Sequence, residues 1–339
     1  MTQSFGVLPT GEQATLYTIT LGKFSASVTD YGATLVSLKV PDRNGNVADV
    51  VLGYDDVNGY AEGTCFLGAV VGRNANRTGG AQFPLNGHTV RLTPNEGPNN
   101  LHSGPDLWNK RFWQLVVQRE DTLIFRLDSP NMDQGFPGNA NVAVTYQLQA
   151  PGTLRVTFNV RCDQDTVFNV TQHSYFNLAG QDHPEKAMNQ ILTLPARVFT
   201  PAGADSIPTG EIRSVEGTPM DFRSPKPIGR DINEDYDALH FQGGYDHNYE
   251  VFTSPCAILQ DPESGRGMAL TTDRPGLQFY AGNFLHEPGK GGIYYGKRSG
   301  VALEPQFYPD AMNHPQWKSP VIQAGKLYHS DIFYQFFQF

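Results

Sequence analysis

Cysteine is scarce in this chain: Cys65, Cys162 and Cys256 are the only three in 339 residues. An odd, widely spaced set supplies neither a disulfide framework nor a zinc-binding spacing, and reads as buried free thiols in a reducing compartment. No run approaches the ~18 apolar residues of a membrane-spanning helix. The N-terminus, Met1-Thr2-Gln3-Ser4-Phe5-Gly6, lacks a basic region followed by an apolar stretch. It therefore reads as lacking a secretory signal, and cytoplasm is the expected location. Basic charge is in deficit, with 25 Lys and Arg against 34 Asp and Glu and a net charge of −9. That balance disfavours nucleic acid and anionic membrane as partners. There is no Gly-x-x-x-x-Gly-Lys-Ser/Thr loop, no His-Glu-x-x-His, no Gly-x-Ser-x-Gly elbow and no βαβ unit for a dinucleotide. Nor is there a low-complexity tract, a repeat of fixed period, or an apolar stripe sustained over four helical turns. Only Gly229 to Leu239 has room for a helical turn or two.

What is present is a period of two. Val142, Val144, Tyr146 and Leu148 alternate with Asn141, Ala143, Thr145 and Gln147. After Ala150-Pro151-Gly152, the residues Leu154, Val156, Phe158 and Val160 alternate with Arg155, Thr157, Asn159 and Arg161. This predicts a β-hairpin with one buried and one wet face. Phe24 to Val28 and Val36 to Val40 repeat the pattern, and Asn44-Gly45 supplies the turn chemistry after the second. The chain closes on Asp331-Ile332-Phe333-Tyr334-Gln335-Phe336-Phe337, an apolar strand expected to pair inside a sheet. Length alone suggests roughly two domains, but all-β folds often exceed ~200 residues as one unit. Gly and Pro are dispersed without a linker, so the expectation is one all-β domain over residues 1–339, a large antiparallel β-sandwich with long loops.

Five segments carry chemistry. Val167-Phe168-Asn169-Val170-Thr171 reads as a strand entering Gln172-His173-Ser174-Tyr175-Phe176-Asn177. His173 there is either a pocket-wall group with a tuned pKa or a hydrogen-bonded core histidine. His102 lies in the loop Asn100-Leu101-His102-Ser103-Gly104, as a functional or a solvated residue. Glu304, after Val301-Ala302-Leu303, is a carboxylate in an apolar strand end, which is costly without partners. Asp246 and His247 follow Gly244-Tyr245, where Asp246 binds a ligand or caps a turn. Arg73, Asn74, Asn76 and Arg77 make a compact donor cluster suited to sugar hydroxyls if it is not simply a solvated surface. The sequons at Asn76 and Asn169 fall beside these groups and read as chance matches. The inventory suits proton transfer on a polyhydroxylated neutral ligand.

At these residues the chain resembles the aldose 1-epimerases, the galactose mutarotases, along nearly its whole length. The landmarks, in order, are Asp30-Tyr31-Gly32-Ala33-Thr34-Leu35, Gly72-Arg73-Asn74-Ala75-Asn76-Arg77, Asp133-Gln134-Gly135-Phe136-Pro137-Gly138-Asn139, His173-Ser174-Tyr175-Phe176-Asn177-Leu178, Gly244-Tyr245-Asp246-His247, Gln278-Phe279-Tyr280-Ala281-Gly282-Asn283-Phe284 and Leu303-Glu304-Pro305-Gln306. The resemblance implies an antiparallel β-sandwich with a sugar in an open cleft. It implies Glu304 as general base, His173 as general acid, His102 as a second histidine near the ring oxygen, and Asn76, Arg77, Asp246 and Gln278 as hydroxyl binders. No metal and no cofactor are implied; the partner is a small monosaccharide, galactose or glucose, and the protein a monomer or homodimer. Ser103 and Gln172 depart from common family residues and are positioned to alter substrate preference. With both Glu304 and His173 charged, the expected pH profile is bell-shaped. The rival readings are a hexose 6-phosphate or maltose 1-epimerase of the same fold, a non-catalytic sugar-binding module, and a zinc hydrolase using His102, His173, His247 and Glu304.

Overall fold

The structure, a computed structural model, describes residues Met1–Phe339. Its strands form three main sheets with antiparallel pairing throughout. A five-stranded meander runs in chain order through Thr2–Val7, Gln13–Leu21, Phe24–Thr29, Thr34–Pro41 and Val47–Asp49. A nine-stranded sheet is centred on Ala140–Gln149, Thr153–Cys162, Leu327–Gln338 and Arg266–Thr272. A six-stranded sheet runs from Tyr175–Phe176 through Val301–Gln306, Gly276–Tyr280, Asp246–Glu250 and Val198–Thr200 to Arg213–Ser214.

The hairpin read from the alternation is present. Val142, Val144, Tyr146 and Leu148 lie opposite Val160, Phe158, Val156 and Leu154, and all eight are buried. Each such side chain contributes roughly 1.5–3 kcal/mol on burial. The C-terminal strand fills the gap between Thr153–Cys162 and Arg266–Thr272, so the chain's last residues complete the middle of the sheet. Inward residues of the nine-stranded sheet share a cluster of 58 buried residues with Tyr249, Leu277, Phe279, Val301 and Leu303 of the six-stranded sheet. The two sheets are the layers of a sandwich.

Helix is confined to short pieces. The turn expected within Gly229 to Leu239 starts later, as the six-residue helix Asp237–Gln242, which Gly243 ends in the left-handed region at φ 64°. The preceding residues instead form turns around Asp231, whose carboxylate receives the buried Lys226 ammonium at 2.7 Å. No helix is long and apolar enough to cross a membrane. All three cysteines are free; Cys162 and Cys256 are buried as expected, but Cys65 is only half-buried.

On the outer face of the hairpin, the Asp331 carboxylate accepts from Arg155 Nε at 3.0 Å, Arg155 Nη2 at 2.9 Å and Thr157 Oγ1 at 2.6 Å. Partial burial alone would raise its pKa; the hydrogen bonds from Arg155 and Thr157 overcome that and bring it down to about 2. A depressed carboxylate stabilises the fold above the unfolded pKa of ~3.9 and loses that contribution as pH falls toward 2. Asp331→Asn should therefore cost about 1 kcal/mol at pH 7, discounted for the solvent around Arg155. The difference from wild type should shrink in denaturant melts as pH falls toward 2 and vanish below it, and equal stabilities at pH 7 would contradict this account.

Candidate active site

The six-stranded sheet has two unlike faces, and strand alternation assigns each residue to one of them. In Asp246–Glu250, His247 and Tyr249 point into the sandwich, so Asp246 and Asn248 point away from it. Likewise Leu277 and Phe279 face inward while Gln278 and Tyr280 face out, and Leu303 faces inward while Glu304 and Gln306 face out. Register then aligns Asn248 with Gln278 and Gln278 with Glu304, with Asp246 opposite Tyr280. The result is a polar row under a cleft. Gln278 Nε2 donates to Asp246 Oδ1 at 2.7 Å, and Gln306 Nε2 donates to Gln278 Oε1 at 3.2 Å.

The opposite wall comes from the N-terminal half. Thr171–His173 pairs with Ala69–Val71, placing His173 beside Ala69. The tight entry to that pair requires Gly68: its φ is 66°, its N–H donates to the His173 carbonyl at 3.0 Å, and a Cβ would stand 2.0 Å from the Leu35 oxygen. His102 follows the pairing of Asn100–Leu101 with Arg77–Thr78 and sits at φ 53°. Its Nδ1 accepts the Asn76 backbone N–H at 3.0 Å, which puts the proton of the neutral ring on Nε2. Burial, then the neighbouring charges of His173 and Arg77, holds His102 well below the usual histidine pKa, so it is a neutral donor at pH 7. The Phe66 ring lies 4.7 Å from the His102 ring and 5.9 Å from the His173 ring, and Tyr175 backs His173 at 5.0 Å.

His173 Nε2 stands 3.6 Å from Glu304 Oε2, and both side chains are buried. Burial pushes His173 down to about 4. Burial, together with the Asp246 charge and against that of Arg77, pushes Glu304 well above the carboxylate range. Over the intervening pH range the pair therefore holds one shared titrating proton. It lies either on Glu304, leaving both groups neutral, or on His173, leaving an ion pair. Desolvation favours the neutral arrangement. The ion pair that the sequence reading assumed is thus the less favoured of two forms with the same proton count. The buried Glu304 Oε2 and His173 Nδ1 have no hydrogen-bond partner.

These groups line one cavity of about 250 Å³. His173, Glu304, His102, Asn76, Arg77 and Asp246 are all in its wall. Gln278 is not; it lies behind Asp246 and orients that carboxylate. Arg73 is a correction. Its guanidinium is fully buried and donates to the carbonyls of Ser129, Pro130, Pro137 and Gly138 at 2.9 Å each, tying a loop in place rather than facing the cleft. Asn74 is likewise spent on Thr78, at 3.1 Å. His247 faces Phe199 in the core, the consequence of following Asp246 by one residue, so the zinc constellation does not assemble. Ser103 Oγ accepts the Asn74 N–H and donates to the Asn74 carbonyl, and Gln172 ties Gly68 to Tyr146; neither lines the cavity. Both sequon asparagines are buried in the fold.

The sequence reading missed Glu96, Phe66, Tyr280, Phe284 and Cys65, all in the wall. Tyr280 was findable, because it sits two residues after Gln278 on the same strand face. Phe284, 68% exposed at the rim, has its N–H held by the Tyr280 hydroxyl at 2.9 Å. Glu96 had no local signal: a turn closed by Asn95 and Asn99 carries it over to Arg77.

Comparison with known proteins shows the family and the fold. The family described as aldose 1-epimerase matches residues 15–335. A galactose mutarotase from Bos taurus is 38% identical, covering 98% of this chain and 97% of that one. An aldose 1-epimerase from Escherichia coli K12 is 36% identical over 91% of this chain and 90% of its own length. Among solved structures, an aldose epimerase homologue from C. elegans superposes with a TM-score of 0.89 at 30% identity, covering 95% of this chain and 98% of that one.

Arg73→Met should leave four buried carbonyls without their donor and destabilise the protein by roughly 3 kcal/mol or more. Sugar affinity of the folded protein should be unchanged, as read by calorimetric titration. Loss of affinity in a stably folded variant would return Arg73 to the binding site.

Proposed function

The chain belongs to the aldose 1-epimerase family, and we propose that its cleft interconverts the α and β anomers of a free aldohexose, galactose or glucose, with Glu304 and His173 moving the two protons. The observation that carries this is the close pair itself: a carboxylate and an imidazole 3.6 Å apart, both buried, on the wall of a small polar cavity. A binding module needs hydroxyl partners but has no use for such a pair.

The chemistry follows from the two protonation forms. With a pyranose bound, the pair reacts from its ionic form. Glu304 takes the proton of the C1 hydroxyl while His173 Nε2 gives its proton to the ring oxygen. The C1–O5 bond breaks, C1 becomes an aldehyde, and the pair is left neutral. Rotation about C1–C2 presents the other carbonyl face. Glu304 then returns its proton to the carbonyl oxygen as His173 takes one from the O5 hydroxyl, and the ring closes on the opposite anomer. Burial disfavours the ionic form and favours the neutral one, so the environment stabilises the pair as it stands beside the open-chain intermediate. Each positioned proton transfer contributes ~10²–10⁴-fold. Neutral His102 donates Nε2–H near the ring oxygen, and Asn76, Arg77 and Asp246 hold hydroxyls, with Gln278 steadying Asp246.

Freshly dissolved α-D-galactose, followed by polarimetry beside α-D-glucose, should reach its equilibrium rotation faster with the protein than without. Glu304→Gln should lower kcat by at least ~10²-fold with KM within a few-fold; wild-type turnover in that variant would exclude Glu304 as the base. The pH profile should also separate ordinary groups from a shared-proton pair. Ordinary values near ~4.3 and ~6.5 would give a narrow bell with its alkaline limb below neutrality. The pair here should instead give a bell with its acid limb near 4, where His173 gains the second proton, and an alkaline limb set by Glu304, whose burial raises it well above the carboxylate range. An alkaline midpoint near 6.5 would refute the coupling.

A further inference from the structure

The cavity wall carries three carboxylates, Glu96, Asp246 and Glu304, but a single guanidinium, Arg77. A free guanidinium in a pocket is a ready bidentate receptor for a carboxylate or phosphate. Here that fork is already filled. Arg77 Nε donates to Glu96 Oε2 at 2.7 Å and Nη2 donates to Glu96 Oε1 at 2.9 Å. The remaining nitrogen, Nη1, lies 3.8 Å from Asp246 Oδ2. Glu96 is held for this by its turn: its N–H donates to the Asn99 carbonyl at 3.2 Å, and the Asn99 N–H donates back to the Glu96 carbonyl at 3.0 Å. The Asn95 side chain bonds both the N–H and the carbonyl of Leu101, joining the turn to the strand that pairs with Arg77.

A sugar with its anomeric end at His173 and Glu304 presents its other oxygens to the rest of the wall. The charged groups there are Arg77, Glu96 and Asp246. We propose that Glu96 is a specificity-determining residue: by occupying the bidentate edge of Arg77 and adding a negative charge to the wall, it confines the site to neutral aldoses and rejects anionic ones such as hexuronic acids. A substrate carboxylate would have to displace Glu96 from Arg77 and then lie beside two like charges, and like-charge juxtaposition is costly. A neutral sugar asks for neither. Glu96 also keeps the Arg77 guanidinium in one orientation, so its loss affects galactose turnover too, and the discriminating quantity is a ratio between substrates. The proposal rests on the epimerase reading of the cleft.

The test is kcat/KM for α-D-galactose and for α-D-galacturonate at neutral pH, by polarimetry on the same preparations of wild type, Glu96→Gln and Glu96→Asp. Wild type should strongly prefer galactose. Glu96→Gln, which keeps one acceptor for Arg77 but removes the charge, should raise the galacturonate-to-galactose ratio by roughly tenfold or more. Glu96→Asp, which keeps the charge, should retain most of the discrimination and so controls for a merely disturbed turn. A ratio within about twofold of wild type in Glu96→Gln, an equal rise in Glu96→Asp, or efficient use of galacturonate by wild type would overturn the proposal. No acceleration of galactose by wild type would instead defeat the epimerase reading, and the role of Glu96 with it.

Discussion

A carboxylate taken into a protein interior costs several kcal/mol unless something shares or cancels its charge. Glu304 meets that constraint by keeping its proton, since burial raises its carboxyl well above the usual range, and His173 Nε2 stands 3.6 Å away to exchange with it. The remainder of the cleft depends on this arrangement. Burial opposes the charge on each partner, so together they form a proton store whose two states differ only in where the proton sits. Burial, and after it the Asp246 charge, oppose a charge on Glu304 and outweigh Arg77, which favours it.

Holding that pair demands two independent pieces of backbone. Glu304 comes from a strand whose other face is packed into the sandwich, so its position is set by Val301 and Leu303 as much as by its own contacts. His173 comes from a short strand paired with Ala69–Val71, whose approach depends on the left-handed Gly68. Arg73 acts elsewhere, its buried fork fastening the loop Ser129–Gly138 by four carbonyls. Rigid sheets and saturated loops keep two reacting groups within the tolerance that proton transfer requires.

Much of the fold was legible because strand periodicity is a direct record of burial. The alternation from Asn141 to Arg161 became a hairpin with the expected face inside, and Asp331 to Phe337 became a central strand. The helix was misplaced because Lys226, buried against Asp231, holds Gly229 to Asp235 in turns; no local propensity encodes that contact. In the cleft, Glu304, His173, His102, Asn76, Arg77 and Asp246 were all named from the chain. Arg73 was grouped with Arg77 because they lie four residues apart, yet one is buried among carbonyls and the other opens on the cavity. The backbone between them turns through the left-handed Asn76, at φ 64°, and sequence distance does not report that change.

By itself the sequence determined the class of fold and the chemical inventory, because a period of two and a set of residue types are properties of the chain read in order. The tertiary structure alone decided which inventory members share a cavity and in what protonation state. Asp246 and His247 are adjacent in sequence and land on opposite faces of one strand, one in the cleft and one in the core. Glu96, His173 and Glu304 are far apart in sequence and line a single wall. Proton affinities follow the same division. A carboxylate or an imidazole has an ordinary pKa as a residue type, and only packing that excludes water around His173 and Glu304 drives the two values past one another.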